Sequence, residues 1–421
     1  MLILIIIAII IPVVLLLIYF LVNCEIGDRD KCLTCKKMTK SCASCNDGYE
    51  LYKGKCITYQ FMVKYFFSRG LNKIITYYNI KNYDSFIKIK LNGEEGHDLS
   101  FDSLKFPKWG EHTIYFYFDK EKIDSFSYMF SNIENIMEFS FNPKCDFSRI
   151  VNMDYMFLNT SLLTINFVNI SFPNLVSMKS MFSNSYHLES VYFKNFTAQK
   201  LYSITELFKN CTYLQIVDFD NFSAKGLSDI SYIFEDCNSL VSIDFTGFYS
   251  DNLETMERMF YGCNSLLLVN FSSLTTKNVK TMRDLFEFCR VLSSVDLSKF
   301  DTSNVINMDS MFYYCEKLTY LNLSHFNTNK VINMNSMFDS CKSLKTLDIS
   351  NFDTINVKYM NSMFYACESL KTLDISSFDT RNVRASYKKP MTKYFKNKEI
   401  WVEILTIYCL GEEYFNENDS I

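Results

Sequence analysis

Seven cysteines recur at a single interval of 26 residues, Cys211, Cys237, Cys263, Cys289, Cys315, Cys341 and Cys367, and an apolar doublet ending in phenylalanine keeps step with them. The doublet reads Met259-Phe260, Leu285-Phe286, Met311-Phe312, Met337-Phe338 and Met363-Phe364. It runs back through Ile233-Phe234, Leu207-Phe208, Met181-Phe182 and Met156-Phe157 to Met129-Phe130. Self-similarity at a fixed period of about 20 to 50 residues marks a solenoid, in which each unit buries its apolar face only against its neighbours. The spacing predicts about ten stacked 26-residue units over residues 125–383. Solenoids of this kind usually serve as binding surfaces.

One copy shows the pattern inside a unit: Cys341, Leu344, Leu347-Asp348-Ile349-Ser350, Phe352-Asp353-Thr354, Asn356-Val357, Met360 and Met363-Phe364. Leu347 and Ile349 alternate with polar neighbours, as in a short strand with one buried face. Val357, Met360 and Met363-Phe364 fall at i, i+3, i+6 and i+7, which predicts a short helix. Asp353 or Thr354, just ahead of that stretch, is placed to cap it, and Thr302, Thr328 and Thr380 repeat the position. Fold class follows as an α/β repeat solenoid, an arc with parallel strands on the concave side and short helices on the convex side. The string L-x-x-L-D-[IL]-S-x-F-D-T-x-N-V-x-x-M-x-x-M-F resembles the BspA-like leucine-rich-repeat surface proteins of bacteria and protists. The resemblance covers roughly Ser125 to Val383 and implies attachment to host tissue, matrix proteins or other cells.

Outside the repeats the chain changes character. From Leu2 to Val22 every residue but Tyr19 is apolar, a run long enough to span a bilayer at the ~20 residues this takes. Residues 1–23 are therefore expected to be a membrane anchor or, alternatively, a removed signal peptide. Leu21-Val22-Asn23-Cys24 leaves a third option, a lipid-anchored precursor. Each option exports the remainder, so the expected location is the cell surface, with secretion as the alternative. Residues 24–57 hold Cys24, Cys32, Cys35, Cys42, Cys45 and Cys56. A module this small needs disulfides or a metal to fold, and an oxidising compartment favours disulfides over four-thiolate zinc. The stretch Cys42 to Leu51, closed by Lys55-Cys56, resembles growth-factor-like repeats of protist surface proteins. Residues 58–124 read as a β-rich N-terminal cap, with Ser85–Leu91 before an Asn92-Gly93 turn and Thr113–Phe118 as strands. Residues 384–421 read as a C-terminal cap or tail.

Charge and motif content limit the function classes. Forty-three Lys and Arg against 47 Asp and Glu give a formal net charge of −4 with no basic stripe, so nucleic acid is not an expected partner. The four histidines, His97, His112, His187 and His325, pair with no nucleophile or metal ligand, and no phosphate-binding glycine loop occurs. No enzyme, cofactor or metal is expected. The cysteine ladder reads as a column of buried free thiols, because each copy meets the same core environment. The methionines Met153, Met178, Met256, Met282, Met308, Met334 and Met360 read as core for the same reason. A polar row, Asp218, Asp244, Asn270, Asp296, Asn322, Asp348 and Asp374, stands one place after the buried strand residue and is expected to line the concave sheet. One reading of such a row is recruitment of calcium or a basic partner; the reading favoured over it has asparagines, hydrogen bonds to Ser298, Ser324, Ser350 and Ser376, and solvent screening making the row tolerable. With Tyr320 and Thr346 the row forms the expected binding face for an extracellular protein or glycan. Sequons occur at Asn159, Asn169, Asn195, Asn210, Asn221, Asn270, Asn322 and Asn418.

Overall fold

A computed structural model describes residues 59–67, 74, 110–118 and 123–384, and the backbone of further short strands between positions 32 and 106. Four strands belong to the cysteine-rich stretch: β1 (Cys32–Cys35), β2 (Cys42–Cys45), β3 (Glu50–Tyr52) and β4 (Lys55–Ile57). The backbone register sets Cys32 opposite Cys45 and Cys35 opposite Cys42. Cys24, the 1–23 segment and residues 385–421 lie outside the described residues, as do the side chains of the other five cysteines of that stretch. Next come β5 (Phe61–Phe67), β6 (Gly70–Lys73), β7 (Phe86–Leu91), β8 (Glu94–Glu95), β9 (Ser103–Phe106) and β10 (Gly110–Phe118). The repeats begin with β11 (Ile136–Phe141) and continue through β12 (Thr164–Asn166), β13 (Ser190–Tyr192), β14 (Ile216–Asp218), β15 (Phe222–Ser223) and β16 (Ser242–Asp244). They end with β17 (Phe248–Tyr249), β18 (Leu268–Asn270), β19 (Tyr320–Asn322) and β20 (Thr346–Asp348).

The repeats wind into a β-solenoid of mostly parallel strands. β11 to β14 pair in parallel at matching positions, as do β16 with β18 and β19 with β20. A second face is built from single bridges that climb one coil at a time: Ser125, Asn152, Ser177, Ser203, Asp229, Thr255, Thr281, Asn307, Asn333 and Tyr359. A third, shorter face joins Ser171, Thr197 and Ser223 and continues through the pairing of β15 with β17. At the N-terminal end β5 lies antiparallel to β11 on one side and to β10 on the other. The first coil's strand edge is thereby paired, and one eight-stranded sheet runs from β14 to β8.

The expected convex helices are absent among the described residues. The segment from Met308 to Cys315 shows the cause. Met311, Tyr313 and Cys315 donate their N–H groups to carbonyls three residues back, Met308, Ser310 and Phe312, at 3.4, 3.1 and 3.1 Å. The intervening Ser310, Phe312 and Tyr314 donate instead to Asn335, Met337 and Asp339 of the next coil at 2.8 to 2.9 Å. An α-helix would spend every one of these donors on its own carbonyls. Ser310 and Tyr314 also adopt φ of 53° and 58°, the left-handed region that no α-helix admits. Apolar residues every third position thus point inward from a string of tight turns. Sequence periodicity alone does not separate that string from a helix.

Nor do the threonines cap helices. Thr276, Thr302, Thr328 and Thr354 are buried, and each Oγ1 reaches the next coil, donating to a backbone carbonyl at 2.9 to 3.1 Å. The same oxygens accept the N–H of that residue, Asp301, Asn327, Asp353 or Asp379, at 2.6 to 2.8 Å. A side chain here replaces the bridge that backbone would otherwise make.

The core is a set of columns. Phe130, Phe157, Phe182, Phe208, Phe234, Phe260, Phe286, Phe312, Phe338 and Phe364 stack face to face with centroids 5.4 to 5.8 Å apart and planes within 13°. A second column joins Phe167, Phe193, Phe219, Phe245 and Phe271. The methionines Met153, Met178, Met256, Met282, Met308, Met334 and Met360 are buried among them. Every cysteine from Cys211 to Cys367 in the ladder is free and buried, and its Sγ lies 3.1 to 3.2 Å from a phenylalanine carbonyl of the preceding coil. Ser185, one period before Cys211, donates its Oγ to Phe157 at 2.7 Å. The thiol therefore acts as a weak donor in a place a hydroxyl also fills. Burial pushes these thiols up in pKa, which keeps them protonated and unreactive.

Candidate interaction surface

Each three-residue strand in the repeats buries its central residue and turns the flanking two outward. Val217, Ile243, Val269, Leu321 and Leu347 point in, and Asp218, Asp244, Asn270, Asn322 and Asp348 stand on the opposite side. The polar row is in register from coil to coil: Asp244 faces Asn270 and Asn322 faces Asp348, while Tyr320 faces Thr346. Asp296 and Asp374 occupy the same repeat position in coils whose strands are less regular, and both are exposed.

The row ends each strand chemically. Asp218, Asp244, Asn270, Asp296, Asn322, Asp348 and Asp374 each accept, through Oδ1, the N–H two residues on, at 2.7 to 3.2 Å. This is an Asx turn, which bends the chain away from the sheet and fixes the carboxylate's orientation. Ser324, Ser350 and Ser376 add a hydroxyl to the same oxygen. Hydrogen bonds from Ser298 and Ser376 hold Asp296 and Asp374 below the usual carboxylate range, so both stay ionised. Around the row stand large exposed apolar side chains: Tyr213, Ile216, Val241, Leu267, Leu268 and Tyr320.

Asparagines form ladders elsewhere. Asn195 Nδ2 donates to Asn169 Oδ1 at 2.8 Å and Asn221 to Asn195 at 2.7 Å, while Asn210 donates to Asn184 and Asn159 to Asn132. Four of the sequon asparagines thus use their amide nitrogens as rungs between coils. Asn418 lies outside the described residues.

The turn edge holds a polar network that the sequence analysis missed. Lys209 pairs with Glu235 at 3.1 Å, Arg258 with Asp284 at 2.9 Å and Glu235 at 3.7 Å, and Arg283 with Glu257 at 3.4 Å and Asp309 at 3.7 Å. The Arg258 guanidinium also lies 4.5 Å from the Tyr261 ring centre. Burial and a hydrogen bond with Asp284 push the Glu287 carboxyl up to about 8. Burial and the Asp284 charge also raise Asp309. A signal was present: Lys209 and Glu235, Arg258 and Asp284, and Arg283 and Asp309 are each one 26-residue period apart. Opposite charges at the repeat distance stack on neighbouring coils. Among the described residues no group of three or more His, Cys, Asp or Glu side chains is arranged to hold a metal ion, and no helix is long and apolar enough to cross a membrane.

Coil, columns and outward rows define a repeat protein of the β-solenoid class. Within that class the chain belongs to the family described as "Mycoplasma protein of unknown function, DUF285", whose model matches it four times, over residues 124–248, 176–295, 228–346 and 287–401. This is a family of repeat surface proteins, and BspA-like proteins carry the same module. No curated protein matches the chain.

Proposed function

We propose that this chain is a cell-surface solenoid, held at the membrane through residues 1–23, that binds an extracellular protein or glycan through the outward face of its strands and catalyses no reaction. The observation that carries this reading is the in-register row from Asp218 to Asp374. Its carboxylates and amides are oriented alike by Asx turns and flanked by exposed apolar side chains. A purely packing role in a surface coat is the alternative. On the strand face the exposed apolar residues gather at Ile216, Val241, Leu267 and Leu268, and the matching positions hold Glu189-Ser190, Ser293-Ser294 and Lys345-Thr346, which favours recognition over uniform packing.

The test is a photo-crosslinking side chain placed at Tyr320 on the strand face or at Lys358 on the second face, in the full-length protein displayed on cells. Crosslinking to one defined partner from Tyr320 and not from Lys358 is expected. Equal yields from both positions, or crosslinks only between copies of the chain, would sink the reading.

A further inference from the structure

Two kinds of side chain run next to each other on the outward strand face. Asp218, Asp244 and Asp296 form the acidic row, each bonded through Oδ1 to the backbone N–H two residues on, with the Ser298 side chain adding a bond to Asp296. Beside them lie Ile216, Val241, Leu267 and Leu268, exposed by 48 to 64 %. Val241, Leu267 and Leu268 are close neighbours: Leu267 N–H bonds Val241 O at 2.8 Å, and Ser242, next to Val241, is paired with Leu268, while the strand of Ile216 lies against that of Ser242. The two outward positions of each three-residue strand and the residue before it, from Leu163 to Asn322, hold no lysine or arginine, while Lys194 lies near Asp218 and Lys299 near Asp296 from the turns that follow. Farther along, Lys345 and Lys371 precede Asp348 and Asp374 by three residues.

A row of carboxylates beside apolar surface selects on two counts. The acidic row repels anionic polysaccharide and attracts ammonium and guanidinium groups, and the exposed Leu, Ile and Val surface is covered only by a partner that brings apolar groups of its own. We propose that this stretch of the strand face takes a cationic segment of another protein that also carries apolar side chains, and excludes anionic glycans. The proposal rests on the reading of this face as the binding surface and gives that surface its chemistry.

Fluorescence anisotropy on the full-length protein tests it with three labelled 14-residue peptides, alternating Leu-Lys, Ser-Lys and Leu-Glu, and with heparin as anionic glycan. The Leu-Lys peptide is expected to bind at least tenfold more tightly than Ser-Lys, with no binding of Leu-Glu or heparin. Combining Asp218→Asn, Asp244→Asn and Asp296→Asn should weaken Leu-Lys binding at least tenfold. The same charge change at Asp251, Asp301 and Asp353, away from the strand row, should alter it less than twofold. Val241→Ser with Leu268→Ser should remove the preference for Leu-Lys over Ser-Lys. Equal losses from the two sets of Asp→Asn changes, an unaltered preference in the serine variant, or heparin binding that the strand-face variants strengthen would each overturn the proposal. If the peptides fail while Tyr320 still crosslinks a defined partner, the chemistry is wrong and the face is right; failure of both removes the face.

Discussion

Thr302→Val isolates the contribution of a side chain that stands in for backbone pairing. Thr302 is 2 % exposed, and its Oγ1 accepts from Asn327 N at 2.8 Å and donates to Asn327 O at 3.0 Å. Valine has nearly the same shape, so no cavity opens, but both hydrogen bonds vanish and the Asn327 N–H and carbonyl lose their partner. Each lost bond costs about 1 kcal/mol, and partly buried groups left unsatisfied add to this, for a total of about 2 to 3 kcal/mol. Thr302→Ser keeps both bonds and removes one buried methyl, at a cost of about 0.8 kcal/mol. Chemical denaturation of the two variants should therefore rank wild type, then serine, then valine. Hydrogen exchange supplies a local readout, because the Asn327 amide should lose protection in the valine variant alone. A valine variant as stable as wild type, or a serine variant less stable than valine, would refute the bridging role.

Three further outcomes follow from the coil geometry. Phe286→Ala, with stacked neighbours Phe260 and Phe312 at 5.5 and 5.6 Å, should cost about 3 to 5 kcal/mol in denaturant unfolding. Phe364→Ala, stacked on Phe338 alone within the column, should cost visibly less. Gly247 has φ of +83°, and a Cβ there would approach the Asn221 backbone nitrogen to 2.7 Å, so Gly247→Ala should destabilise by about 1 to 2 kcal/mol in the same assay. The Glu287 carboxyl, raised to about 8 in the folded protein, keeps a proton that the unfolded chain releases near its ordinary value. Stability should consequently fall as pH rises from about 4.5 to about 8, with no contribution below that window. Glu287 is only partly buried, so screening limits the effect to about 1 to 2 kcal/mol. Glu287→Gln should flatten the profile and raise stability at pH 8; an unchanged pH dependence would show that Glu287 is not its source.

The features legible in the sequence were those repeated in register. Cys289 and Phe286 recur at a fixed distance because stacked coils offer the same surroundings, and their burial follows from that alone. The strand at Leu347 was readable from alternation. The supposed helix at Met360 to Phe364 was not, because inward residues every third position serve a run of turns as well as a helix. What distinguishes the two is a left-handed φ at Ser362, and serine gives no compositional warning of it. Thr354 was read as a cap because its local partners looked free, whereas its real partner, Asp379, is a full coil away. The acidic row was visible as a row, but the Asx turns that aim it were not, and neither was the apolar cluster around Leu268. Side chains that interact across coils are separated by a period, so reading along the chain hides them.

The hydrogen bonds between coils run along the solenoid axis, and this decides how the molecule responds to tension. A pull between its two ends loads one terminal rung at a time, so coils peel off singly and the rest keep their columns. Each coil occupies about 4.8 Å of stacked height. Its 26 residues, drawn out, span about 85 Å. A chain tethered at one end and gripped at the other would thus lengthen by many times its folded rise before its middle gave way.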